Sequence, residues 1–343
     1  MDRRTFIAGA LAPLAASGAV WPSGQKVKIG FLGGSHSHAS GKVKLALKSS
    51  EFEIAGMWEE DAGLKEKYSK MGVRLVSLEE LLGDPSIDVI AVESAVRDHV
   101  RHGLLVLKAG KHLHLEKPPA LDVESFRELQ DLASSKKLVL QMGYMWRHHP
   151  GINRMLEAAR KGWMGDIYLV KAEINKTLGG DRRPAWAEFR GGQMFELGPH
   201  VIDPMIRLMG RPNRVTPFLK KHGKFADNMA DNTVAMFEFP GALGIVIGTA
   251  LQPNSSRYRS FTVYGTLGTA TLKPIESPVL EMDLAKAAGP YPKGPHMVEL
   301  PEYQRYEDDL VELAAAVRGD RPIAVTQRED LMVQEALIMA SGM

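Results

Sequence analysis

One stretch near the start constrains the fold more than any other. Lys26 to Leu32 (KVKIGFL) is a short apolar run that leads into Gly33-Gly34-Ser35, and a helical pattern around Val43, Leu45 and Leu47 follows. Strand, glycine turn and helix in that order aim backbone N–H groups and a helix N-terminus at a phosphate, and small residues let the ligand come close. The dinucleotide fingerprint is incomplete: with Gly33 as its first glycine, Ser35 takes the second position and His38 the third. Phe52 to Trp58 (FEIAGMW) predicts the second strand, which ends at Glu59-Glu60-Asp61. Glu59 is 26 residues beyond Gly33, near the spacing of the carboxylate that accepts hydrogen bonds from adenosine ribose hydroxyls. An acid there repels a 2′-phosphate, so NAD is favoured over NADP. The competing reading has these acids doing no more than solvating the next helix N-terminus.

The alternation continues. Ser77-Leu78-Glu79-Glu80 has capping-box spacing before a short helix, Asp88 to Val92 is strand-like, Val100 to Leu107 is helical, and His112 to Leu115 is a further strand. A helix near Val123 to Leu132 and a strand from Leu138 to Met142 complete a parallel α/β domain. In such sheets ligands sit outside the C-terminal strand ends, where Gly33, Glu59, Ser94 and Glu116 fall. Farther on, Ile167 to Ile174, Asn232 to Phe239, Leu243 to Leu251, Ser260 to Gly265 and Thr269 to Lys273 read as strands. Helical patterns from Tyr306 to Val317 and Arg328 to Met339 close the chain. A length of 343 residues suits two domains, with the change of pattern near Trp146.

Lys+Arg at 43 against Asp+Glu at 41 leave a formal charge of +2, which gives no global field for nucleic acid or a membrane surface. With no cysteine, any chemistry falls to His, Lys, carboxylates or a cofactor. At the N-terminus Arg3 and Arg4 precede an apolar stretch from Phe6 to Leu14, too short to span a bilayer and interrupted by Pro13. Small residues follow, with cleavage expected after Ala19. The segment is similar to the twin-arginine export signal, with Asp2 and Ile7 in place of its usual residues, and implies a periplasmic or otherwise exported protein.

Glu116-Lys117-Pro118 stands at the end of the fourth parallel strand, where a lysine in a partly desolvated crevice can hold a substrate hydroxyl; a surface lysine is the alternative. Together with Ser94 to His99, Ala109-Gly110-Lys111-His112, and Gly143-Tyr144 with Arg147 and Pro150, it resembles the glucose-fructose oxidoreductase, inositol dehydrogenase and rhizopine catabolism (Gfo/Idh/MocA) family. The most specific segment is Gly191 to Asp203 (GGQMFELGPHVID), similar to the family's glycine pair followed by acid-x-Gly-x-His-x-x-Asp. The resemblance implies a Rossmann domain over residues 26–146 and, over 147–343, an α/β domain with an open, mainly antiparallel sheet that binds substrate and mediates homo-oligomer formation. It implies an NAD-dependent oxidoreductase for a secondary alcohol of a sugar, cyclitol or glycoside.

Within that resemblance Lys117 and His200 are the catalytic pair. His200 exchanges the hydroxyl proton, for which its ordinary pKa near ~6.5 is suited. Glu196, Asp203, Arg147 and Tyr144 are expected at the substrate, with Asp203 orienting His200 or a substrate hydroxyl. Gly33, Gly34, Ser35, His36, His38, Glu59, Ser94, His99, Glu116 and Lys117 are expected at the cofactor. Glu196 departs from the family's usual aspartate, and its extra methylene moves the carboxylate by about a bond length, on the order of the 1 Å to which catalysis is sensitive. His36 and His38 stand where the family carries small residues; pyrophosphate donors, crevice residues, a polar turn and metal ligands joined by a Glu or Asp from elsewhere are all open, although the sequence supplies no spaced ligand set that confirms a metal. Two further functions stay open: a redox-neutral glycoside hydrolase or lyase retaining its NAD, and a non-catalytic sugar or nucleotide binder.

Overall fold

Short strands buried on both faces are what a parallel sheet covered by helices requires. The computed structural model describes residues 25–343, so the export-signal reading of residues 1–19 lies outside the described residues. Five such strands, β1 (Val27–Leu32), β2 (Phe52–Trp58), β3 (Val89–Val92), β4 (His112–Leu115) and β5 (Leu140–Met142), form a parallel sheet in the order β2-β1-β3-β4-β5. The connecting helices are α1 (Ala39–Lys48), α2 (Ala62–Lys70), α3 (Leu78–Gly83), α4 (His99–Lys108) and α5 (Val123–Ser135). Asp61, Ser77 and Asp122 cap α2, α3 and α5 by accepting from the N–H groups of Leu64, Glu80 and Ser125. The strand order reverses between β1 and β3, which places the ligand crevice at the ends of those two strands.

The second unit begins with α6 (Pro150–Arg160), β6 (Ile167–Glu173) and the short helices α7 (Arg183–Ala187) and α8 (Gln193–Leu197). The helix α9 (Pro199–Met209) and strands β7 (Arg214–Lys220), β8 (Asn232–Phe239), β9 (Ala242–Thr249), β10 (Ser260–Gly265), β11 (Gly268–Leu272), β12 (Leu280–Leu284) and β13 (Gly294–Val298) follow. The eight strands run in the order β13-β12-β11-β10-β6-β9-β8-β7, antiparallel except for β6 beside β9. Burial alternates along β8 and β9, so one face packs beneath helices and the other stays open.

Two C-terminal helices tie the units together. In α10 (Glu307–Arg318), Leu310, Leu313, Ala314 and Val317 join the core formed by Val27, Ile29 and Phe31 of β1. A linear division at residue 146 therefore misplaces this helix, which covers the first sheet. The last helix, α11 (Gln327–Ala340), starts from a complete capping box between Thr326 and Glu329 and packs against both α5 and α9. Among the described residues no helix is long and apolar enough to cross a membrane.

Candidate active site

The glycine turn is fixed from both sides. Gly33 has φ +78°, and a Cβ there would lie 2.7 Å from the Ser94 Cα, so only glycine lets the end of β1 meet the end of β3. Glu59, at the end of β2, accepts from the N–H groups of Gly34 (2.6 Å), Glu60 (2.8 Å) and Asp61 (3.0 Å), while the Tyr68 hydroxyl donates to the Gly34 carbonyl (2.7 Å). A side-chain-free approach at Gly33, an exposed Ser35 and a carboxylate held against the turn fit the adenosine diphosphate half of a dinucleotide.

The two histidines of the turn face inward. His38 Nδ1 lies 3.1 and 3.2 Å from the two Glu116 oxygens, and His36 Nδ1 is 3.4 Å from Oε2. Both rings thus point at the buried carboxylate ending β4. Lys42, one helical turn beyond His38 on α1, donates to Glu93 Oε1 (2.9 Å), contacts Glu116 and lies 2.6 Å from His114 Nε2. Burial opposes ionisation of Glu116, but His36, Lys42 and His38 outweigh it and hold its pKa well below the usual range. Glu93 moves the other way: burial, only partly offset by Lys42, pushes its pKa up to about 8. His99, expected at the cofactor, sets both ring nitrogens beside carbonyls, 2.7 Å from Pro118 O and 3.1 Å from Ser94 O; burial lowers its pKa, so the neutral ring donates to one of them, the nearer being Pro118 O. It ties the loop after Lys117 to the end of β3.

Lys117 and His200 come together across the two units. Lys117 Nζ donates to the Glu196 main-chain carbonyl at 2.7 Å and stands 3.8 Å from its carboxylate. Glu196 sits within α8 rather than in the loop entering α9, and Pro199 occupies the first turn of the helix that carries His200. His200 is 1% exposed, and neither ring nitrogen has a hydrogen-bond partner. Its ring centroid lies 5.4 Å from that of His38 and 5.6 Å from Trp146. Burial first, then Lys117 and His38, lowers its pKa well below the ordinary value, which corrects the expectation of an unshifted histidine. Burial likewise raises the Glu196 pKa against the pull of Lys117.

Asp203, Arg147 and Tyr144 belong to a different network. Arg147 donates through Nε (3.1 Å) and Nη2 (2.8 Å) to Asp203 Oδ1, contacts Asp330 and lies with its guanidinium 4.5 Å from the Tyr144 ring centroid. Asp203 is thus spent on Arg147 and makes no hydrogen bond to His200, while the buried Tyr144 hydroxyl, like the His200 ring, has no protein partner. Trp186 packs beside Leu178, Met229 and Ala250, with the Lys176 ammonium 5.2 Å from its ring centroid.

Sequence reasoning missed Lys42, Glu93 and His114. A lysine inside a helix reads as solvated, yet His38 and Lys42 are spaced i,i+4 and so share a helix face. It also missed Tyr306, whose left-handed backbone (φ +73°) seats its ring 5.3 Å from that of His38.

The glycine turn, the switch point and the paired Lys117 and His200 define a two-unit, nucleotide-dependent oxidoreductase. Comparison with known proteins agrees: residues 27–144 match an oxidoreductase family with an NAD-binding Rossmann fold, and residues 152–271 match the GFO/IDH/MocA C-terminal domain. The chain belongs to the Gfo/Idh/MocA family and is an NAD(P)-dependent oxidoreductase. It is 26% identical over 232 residues to trans-1,2-dihydrobenzene-1,2-diol dehydrogenase of Bos taurus, covering 66% of this chain and 68% of that protein. It is 26% identical over 201 residues to scyllo-inositol 2-dehydrogenase (NADP(+)) of Bacillus subtilis, covering 56% of each. The fold is shared with GenD2 from gentamicin A biosynthesis in complex with NAD, at a TM-score of 0.76 and 21% identity over 94% of this chain and 96% of that one.

Proposed function

We propose that the protein is an exported NAD-dependent oxidoreductase acting on a secondary alcohol of a sugar, cyclitol or glycoside. The observation that carries this reading is the unpartnered His200, which lies beside His38 of the glycine turn and feels the charge of Lys117, itself held on the Glu196 carbonyl. Relatives named for dehydrogenation of a diol and an inositol support the substrate class. Glu59 against the turn supports NAD, and the arginine pair before Phe6 supports export. On the open face of the second sheet, Phe218, Met236, Leu243 and Ile245 offer the apolar surface a homo-oligomer would bury.

When bound, the dinucleotide supplies the hydride acceptor. Lys117 holds the substrate oxygen and favours its alkoxide character, while His200 accepts the hydroxyl proton at a ring nitrogen that no protein group competes for. Glu196 positions Lys117 through its main-chain carbonyl.

Two measurements test this reading. The mature protein, denatured after native export, should release NAD or NADH identifiable by mass spectrometry, or bind added NAD if it is isolated empty. A sugar panel should then yield an oxidised product in step with NADH. Failure to bind either nucleotide would sink the reading, and product formation without added nucleotide or net NADH would move it to a redox-neutral hydrolase or lyase. The pH profile gives a second handle. Because burial holds the His200 pKa low, the base is already neutral near pH 6.5, so log kcat/KM for alcohol oxidation should show no acid-side break there, only a fall at lower pH. A histidine-like break at 6.5 would contradict that assignment.

A further inference from the structure

His36 and His38 lack a third ligand in the sequence, and the fold supplies one. We propose that His36, His38 and Glu116 form a binding site for a divalent transition-metal ion of the zinc class, with His200 or a ligand oxygen in its fourth position.

Donor spacing comes first. Around a tetrahedral ion with bonds of about 2.0–2.1 Å, donor atoms lie roughly 3.3 Å apart, and two imidazoles have ring centroids roughly 5 Å apart. Here the histidine Nδ1 atoms stand 3.1 to 3.4 Å from the Glu116 oxygens. Ring centroids are separated by 4.7 Å for His36 and His38 and by 5.4 Å for His38 and His200. The three proposed donor atoms all fall within 4.8 Å of one another and come from buried side chains. His200 adds an independent observation, since both its ring nitrogens are buried without a partner beside the cluster.

The support of Glu116 agrees with the spacing. Lys42 holds Glu116 Oε1 and the Lys117 N–H donates to Oε2 at 3.0 Å, which fixes the carboxylate as an outer shell does in metal sites. The neighbouring set of Glu93, His114 and Glu116 is already filled by the Lys42 ammonium, which reaches all three, so the ion belongs on the His36 and His38 side. Its arrival would displace the contact from His38 N–H to His36 Nδ1 at 3.3 Å and replace the hydrogen bonding of His38 Nδ1 to Glu116 at 3.1 and 3.2 Å with bonds to the ion. An ion there lies beside Lys117 and His200 and is placed to polarise a substrate oxygen.

The full-length protein, stripped with EDTA and exchanged, should take up one Zn(II) per chain, measured by elemental mass spectrometry after gel filtration. Co(II) in its place should give the visible d–d bands of a tetrahedral site. His36→Ala and His38→Gln, checked for folding by their melting curves, should each bind at least tenfold more weakly. His222→Ala, which removes an exposed histidine elsewhere, should bind as the unaltered protein does. An unaltered protein that retains neither Zn(II) nor Co(II), or binding that survives both substitutions, overturns the site. Neither readout depends on turnover or on the sugar substrate, so the metal site and the oxidoreductase reading can fail separately.

Discussion

Lys117→Met should lower kcat by roughly 10²- to 10⁴-fold on the secondary alcohol the protein oxidises, the range expected when a group assisting proton transfer is lost. Methionine keeps the length of the side chain and removes its donors. What the folded state loses is one hydrogen bond to the Glu196 carbonyl and a 3.8 Å approach to its carboxylate. Burial already favours the neutral form of Glu196, so the residue left behind can take up a proton instead of standing as an unpaired buried charge. The stability loss should therefore stay near 1–2 kcal/mol, the cost of an unmade hydrogen bond, and nucleotide affinity should change little. His200→Leu makes the complementary test. Since neither ring nitrogen has a partner, leucine removes a buried polar group at no cost in protein hydrogen bonds, and Tm should hold or rise while turnover falls by a similar factor. Steady-state kinetics, nucleotide titration and melting curves on both variants separate catalysis from folding. Full turnover in either one removes that residue from the mechanism.

Periodicity made much of this fold legible. Phe52–Trp58, Asn232–Phe239 and Ser260–Gly265 are strands with the boundaries their patterns predict, because each is an apolar or alternating run closed by a turn. The strands it missed lie toward the margins of the second sheet. β7 contains Pro217, and β7 and β13 are edges, where proline and polar residues are tolerated and the hydrophobic signal is weak, whereas β12 (LEMDL) does alternate, with Leu280, Met282 and Leu284 buried, but spans only five residues. The placement of α10 on β1 is a long-range choice that no local pattern encodes. In the site, Gly33, Glu59, Lys117 and His200 were legible because strand ends and a specific motif announce them. Asp203 and Arg147 fell in the same motifs but face each other. Sequence order places a residue on an element, whereas its partner depends on which elements pack together. Lys42 and Glu93 went unread for that reason, since a buried lysine is revealed only by the carboxylates it pairs with.

Arg147→Met should destabilise the protein by about 3–5 kcal/mol, the usual consequence of leaving buried charges without their partner. The guanidinium joins three separate pieces of chain: its own segment after β5, Asp203 on α9 and Asp330 on α11. Arg207 reaches the other Asp203 oxygen only at 3.6 Å and cannot replace it. Burial already pushes the Asp330 pKa up to about 6 against the pull of Arg147, and removing the arginine leaves two facing carboxylates, so that pKa should rise further. A carboxyl whose pKa is higher folded than unfolded binds more protons in the folded state, and its contribution to stability is lost as pH rises through the folded value. The deficit of Arg147→Met should thus be smaller at pH 5 than at pH 8, as read from urea or thermal unfolding at both values. Adding Asp203→Asn and Asp330→Asn should recover much of the loss, because the penalty comes from stranded charge rather than from missing volume. A deficit below about 1 kcal/mol at both pH values, in the range of exposed pairs, would mean that water reaches the network and that other contacts join α9 to α11.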